Sequence, residues 1–207
     1  MSGIRVTYTG LIAFVSGIIA IVFGLIVTLI ITRSLSPEEF GTWRLIINLL
    51  VYVVYIQPII TFWAIRESAR NIATGKTAIL ANGFFSCIAI AIYLIIVYSI
   101  SDQTDADVNI MLSAMIMIPM IFLYNLLHAV TFGWKPHAVN YGFLALEGSK
   151  IPLLLITIIW FEMGVFGIIT AMRIAYVPSI VILFIYSKEK LKNGFLTLFR
   201  KNQSTTY

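Results

Sequence analysis

The sequence holds a single cysteine, Cys87, and only two histidines, His128 and His137. One thiol cannot close an intrachain disulfide, and so few soft ligands give no spacing that a metal ion could use. Cys87 lies inside an apolar run, where a free cysteine is expected to pack as a small hydrophobe. Charge is scarce as well: 11% of residues carry it, against about 25% in an ordinary globular domain. A soluble chain of 207 residues, 60% of them apolar, could not hide that surface from water, so the bilayer is the remaining solvent. The chain also lacks a paired-carboxylate constellation, an HExxH helix, a Walker loop and a GxSxG elbow. The expectation is therefore a protein that is not an enzyme and takes no cofactor and no metal. The net charge of +5 would suit nucleic acid, but the bases sit mostly at the ends of apolar runs and are not interleaved with exposed aromatics. No nucleic-acid partner is expected.

What the chain has in abundance is long uncharged runs. Residues 11–32, 45–65, 77–100 and 108–134 contain no Asp, Glu, Lys or Arg, and each exceeds the roughly 18–20 residues that cross a hydrocarbon core. The first run is too long for a signal-peptide core and no small-residue cleavage site follows it, so it reads as a retained helix. Residues 151–187 are apolar except for Glu162 and Arg173. As one helix that segment would be about 55 Å long, nearly twice the core thickness. It must fold back once, and "WFEMG" at 160–164 supplies the turn. The fifth span then begins near Tyr141. The reading is an all-α, polytopic membrane protein: residues 1–187 form one bundle of six transmembrane helices, at about 11–32, 45–65, 77–100, 108–134, 141–161 and 163–187. Residues 188–207 form a basic tail.

The Lys and Arg positions test that layout. With the N-terminus inside, the inner segments hold Arg5, Arg66, Arg70, Lys76, Lys135, Lys188, Lys190, Lys192, Arg200 and Lys201; the outer ones hold only Arg33 and Arg44. Ten bases against two satisfy the positive-inside rule, so both termini and the tail are expected in the cytoplasm and the chain in the cytoplasmic membrane. The polar knot "RSLSPEEFGTWRLI" at 33–46 is then the first external turn. Pro37 ends the preceding helix, Glu38 and Glu39 suit the first turn of a short one, Gly41 is expected to break it, and Trp43 to anchor the next span at the interface.

Several stripes stand out within the spans. Gly10, Ala13, Gly17, Ala20 and Gly24 place small residues along one face of the first helix, and Gly164, Gly167, Ala171 and Ala175 repeat the device in the sixth. Either stripe would let a neighbouring helix come close, as static packing or as a face that slides. Arg44, Asn48, Tyr52 and Tyr55 make a polar and aromatic stripe on the second helix, expected to face protein or a wet cavity, with the tyrosines alternatively an interfacial belt. Gln57 and Pro58 follow, and Pro58 is expected to kink that helix. Glu147 and Lys150, three apart, can neutralise each other; Arg173 descends on the next helix within reach of Glu147. Each such charge costs up to about 2.5–3.5 kcal/mol at the bilayer centre. They form either a structural ion-pair cluster or a cavity with net positive charge suited to an anionic ligand. Asn125 and His128, near the inner end of the fourth span, form a weaker pair; Pro119 is a second kink candidate and Asn82 a candidate for interhelical glue.

The early span followed by "RSLSPEEFGTWRLI", the "AIRESAR" after the second span and the "GVFGIITA" opening the sixth resemble the N-terminal half of a lipid-linked oligosaccharide flippase. Such flippases form the polysaccharide-export branch of the multidrug and oligosaccharidyl-lipid exporter superfamily. The resemblance implies a carrier of polyprenyl-linked glycan, turned over by alternating access between two six-helix bundles, with basic residues in the central cavity. Here Arg44, Lys150 and Arg173 are the basic positions that could serve, with Arg66 at the inner mouth. Family members have twelve or more spans and this chain supplies six, so a half-size flippase paired as a homodimer, or with a separate second half, is the leading expectation. The alternatives are a non-transporting scaffold subunit of a glycan-assembly complex or an inactive fragment, and a cation-coupled exporter of small molecules using Glu147. The substrate-cavity candidates are Arg44, Asn48, Tyr52, Arg66, Asn125, His128, Glu147, Lys150 and Arg173.

Overall fold

The computed structural model describes residues 6–70, 75–100 and 107–192, and the described residues are all-helical apart from short turns. The acidic loop at 101–106, the tail from 193 onward and the bases Arg5, Arg200 and Lys201 lie outside the described residues. The helices are α1 (Val6–Ser34), α2 (Pro37–Val54), α3 (Pro58–Ala69), α4 (Gly75–Ile100), α5 (Val108–Ala114), α6 (Met117–Trp134), α7 (Pro136–Leu154) and α8 (Gly164–Lys192). A wider π-helical segment, Leu155–Trp160, prolongs α7. Five helical stretches are long and apolar enough to cross a membrane: Gly10–Ser34, Thr77–Ile100, Val108–Trp134, Pro136–Trp160 and Gly164–Leu191. The pair α2 and α3, bent by 55°, makes a sixth if it is one span. The span carrying Glu147 thus starts at Pro136, five residues ahead of Tyr141, and α8 runs through Lys192 into the expected tail.

The polar knot is a helix start with no break in it. Ser36 caps α2: its hydroxyl accepts from the Glu39 N–H at 3.3 Å, and the Glu39 carboxylate accepts from the Ser36 N–H at 2.9 Å. Pro37 sits at the first helical position, where a missing N–H costs nothing. Gly41 does not end the helix, because one glycine costs only about 1 kcal/mol in a helix that gains its burial further on. Trp43 is 6% exposed and packs in the core instead of anchoring at an interface. The other Glu39 oxygen lies against Gly164, whose φ of 52° opens α8. A side chain there would collide with that carboxylate, so Gly164 lets the first turn dock on the last helix start, where unpaired N–H groups favour a negative charge.

Two prolines break their helices at the expected places. Pro58 has no N–H for the Val54 carbonyl, and the Gln57 N–H takes it instead at 2.9 Å, which tightens the turn and bends the chain. Pro119 likewise frees the Met115 carbonyl, which accepts from the Ile118 N–H at 3.1 Å, and α5 gives way to α6 there. That break releases the Met111 carbonyl as well; the fully buried Tyr93 hydroxyl donates to it at 2.8 Å. No backbone group so placed can be left bare inside a bilayer.

Helix α6 is the centre of the bundle and packs against α3, α4, α7 and α8. Its close contacts are made by glycine. A Cβ on Gly133 would stand 2.5 Å from the Ile65 carbonyl oxygen, so α3 and α6 touch backbone to backbone. A Cβ on Gly142 would stand 2.6 Å from Leu183 Cγ, and beside it the Ser179 hydroxyl donates to the Gly142 carbonyl at 2.6 Å, joining α7 to α8. The small stripe of α8 is packed too, with Gly167, Ala171 and Ala175 all buried. The stripe of α1 is not. Nothing lies within 4 Å of a Cβ built on Gly10, Gly17 or Gly24, while α1 rests on α7 through another face. Cys87 is exposed on α4 and not packed inside.

Candidate functional site

A cleft of about 580 Å³ opens in the side of the bundle, between α2 and α3 on one flank, α6 behind, and α7 with α8 on the other flank. It exists because the 55° bend carries α3 onto α6 and leaves α2 standing off. Its walls are chiefly aliphatic: Leu50, Val54, Ile121 and Met172 among them. Set into those walls are Gln57 and Thr61 at the start of α3, Asn125 and His128 on α6, Lys150 on α7 and Tyr176 on α8. An apolar trough with a few convergent polar groups is the usual anatomy of a small-molecule or lipid site.

Each polar group has a defined state. Gln57, 2% exposed, donates through its carboxamide nitrogen to the Phe122 carbonyl at 2.9 Å and accepts from Asn125 Nδ2 at 2.7 Å. Lys150 Nζ pairs with Glu147 Oε1 at 2.5 Å. Their side chains are 18% and 14% exposed, and they stand about halfway along the Pro136–Trp160 span. An isolated charge there would be costly; the pair removes most of that cost while the lysine still faces the cleft. The Tyr124 ring lies against both His128 and Tyr176, at 5.9 and 5.5 Å between centroids, so aromatic contacts hold the histidine and the tyrosine hydroxyl in place.

The structure brings together Asn125, His128 and Lys150, with Glu147 behind Lys150. Arg173 stands apart. Its guanidinium turns back along its own helix, donating to the Thr170 hydroxyl at 3.0 Å and the Ile169 carbonyl at 3.4 Å and lying over the Phe166 ring. It makes no ion pair with Glu147. The reach is better satisfied by local acceptors than by a carboxylate already held by Lys150. Arg44, Asn48 and Tyr52 are exposed on α2, and Tyr52 is 72% exposed. The face of α2 that lines the cleft runs through Ile47, Val51 and Val54, one position round from those three, and only Tyr55, the last member of the stripe, reaches it. Arg66 lines a separate shallow pocket of about 400 Å³ with Phe62, Trp63 and Ile65, next to the Arg66–Glu67–Arg70 charge group. Asn82 is buried, and its amide oxygen has no hydrogen-bond partner among the described residues, so it does not join helices through that atom. Sequence reasoning passed over Tyr176 and treated Gln57 only as a neighbour of Pro58. A glutamine beside a mid-span proline is the signal that pointed to the latter, because a bend there needs a polar group to serve it.

Compared with protein-family models, with curated proteins and with solved structures, the chain matches none.

Proposed function

We propose that this chain is one half of a flippase-like carrier that moves lipid-linked oligosaccharide or polysaccharide precursors across the cytoplasmic membrane by alternating access. The observation that supports the reading best is the lateral cleft, which offers an apolar trough to a lipid tail and Lys150, His128, Asn125 and Tyr176 to a polar, anionic head. On this reading both termini are cytoplasmic, six spans cross, and Arg66 lies near the cytoplasmic mouth. The chain performs no chemical step of its own.

One bundle does not close the cleft. Two further faces ask for a neighbour: the α1 stripe at Gly10, Gly17 and Gly24, with nothing packed on it, and the α2 stripe with Arg44 and Asn48 exposed. A second copy in the same orientation, or a separate six-span chain, would supply the opposite wall. Those open faces equally favour a second reading, a scaffold subunit of a glycan-assembly complex that transports nothing.

Transport assays separate the two. Reconstituted protein should move a lipid-linked oligosaccharide between leaflets, and Lys150→Gln should slow that movement by at least about tenfold, the worth of one charge-assisted contact. Arg173→Gln, off the cleft, should leave the rate within about threefold. If neither variant changes export in cells while partner binding or abundance falls, the scaffold reading takes its place.

A further inference from the structure

The second span is built as two bodies. Its lower part, α3, is fastened to α6 at both ends: backbone on backbone at Gly133, and through the Gln57 carboxamide at the cleft. Its upper part, α2, packs chiefly on α4 and α8 and has the open cleft along its flank. Between them the residues Tyr55, Ile56 and Gln57 carry the 55° bend. Pro58 makes a bend possible there, but a proline kink alone fixes no angle, since it only removes a hydrogen bond and adds a local clash.

We propose that Gln57 is a latch: its buried carboxamide, bonded to Phe122 and Asn125 of α6, pins the apex of the bend and holds the second span bent, and its release lets α2 change its angle to the α3–α6 unit. Two features carry this. The carboxamide is buried and uses one donor and its acceptor oxygen on α6, so pulling the apex of the bend away from α6 would strip both bonds from a group shielded from water. The space into which α2 would move is the cleft itself. Because that one space takes either an occupant or a straightened α2, occupancy and bend are coupled. The hinge does not depend on the chain being a carrier.

The test is a distance along the second span. In a Cys87→Ala background, spin labels at Glu38→Cys and Ala69→Cys report the angle between α2 and α3 in nanodiscs. The two helices are about 27 and 18 Å long, so straightening the bend lengthens the separation by about 5 Å. The otherwise native chain should give one narrow distance. Gln57→Leu, which cannot bond to α6, should add a second population about 5 Å longer. Asn125→Leu, which removes one of the two bonds, should give the same longer population in smaller amount, and it serves alone if Gln57→Leu fails to insert. A distribution unchanged from native in the variants that insert would overturn the latch and leave the bend to Pro58 and packing.

Discussion

Lys150 faces the cleft, yet its charge is already balanced by Glu147 on the same helix face. The pair therefore has two loads: it makes a mid-span charge tolerable, and it keeps a cation at the cleft wall. Breaking a fully buried pair on one side costs about 3–5 kcal/mol, and this one, beside a cleft, should cost about 2. Lys150→Met should lower thermal stability in detergent accordingly, while Glu147→Gln with Lys150→Met should recover most of the loss. A double variant as unstable as the single one would mean that packing, not charge, is at stake. Arg173 shows the opposite solution, with two of its N–H groups bonded within its own helix and its guanidinium over the Phe166 ring, away from the cleft.

Among the helices, glycines sort into those that are touched and those that are not. Gly133→Ala and Gly142→Ala each force a methyl group into backbone or into Leu183 and should cost about 1–3 kcal/mol. Gly17→Ala, with open space around it in mid-helix, should not destabilise and should gain up to about 1 kcal/mol. Melting curves of the three variants in one detergent check this; equal effects would contradict the packing described. The spans themselves were legible, because uncharged runs of bilayer length admit few other fates, and the length of 151–187 alone demanded the turn at 160–164. The kinks at Pro58 and Pro119 followed from the missing N–H. Helix rotation was not legible. The stripe Arg44, Asn48, Tyr52 and Tyr55 has helical spacing, but only Tyr55 reaches the cleft, because the side of α2 that meets it is set by how α3 sits on α6 through Gly133 and Gln57. The same dependence hid Tyr176, a single residue whose place follows from the packing of α8. Gly41 misled for a simpler reason: the capping box at Ser36 and Glu39 and the burial of Trp43 outweigh one poor helix former.

At the scale of the molecule, a helical bundle with five span-length helices, a bent pair beside them and an open cleft reads as one wall of something larger. Burial in the first long helix is low, and nothing packs within reach of a side chain at Gly10, Gly17 or Gly24. Asn48, a polar side chain exposed on the apolar part of α2, would be better served by protein or water on that side than by lipid. The carrier account therefore stands on a second bundle. The direct measurement is the mass of the full chain extracted from its own membrane into nanodiscs, with lipid retained. The account predicts two bundles per particle, as two copies or as this chain with a second six-span protein. A particle holding one copy, with no other protein, across the range of extraction conditions that keep it folded would contradict it.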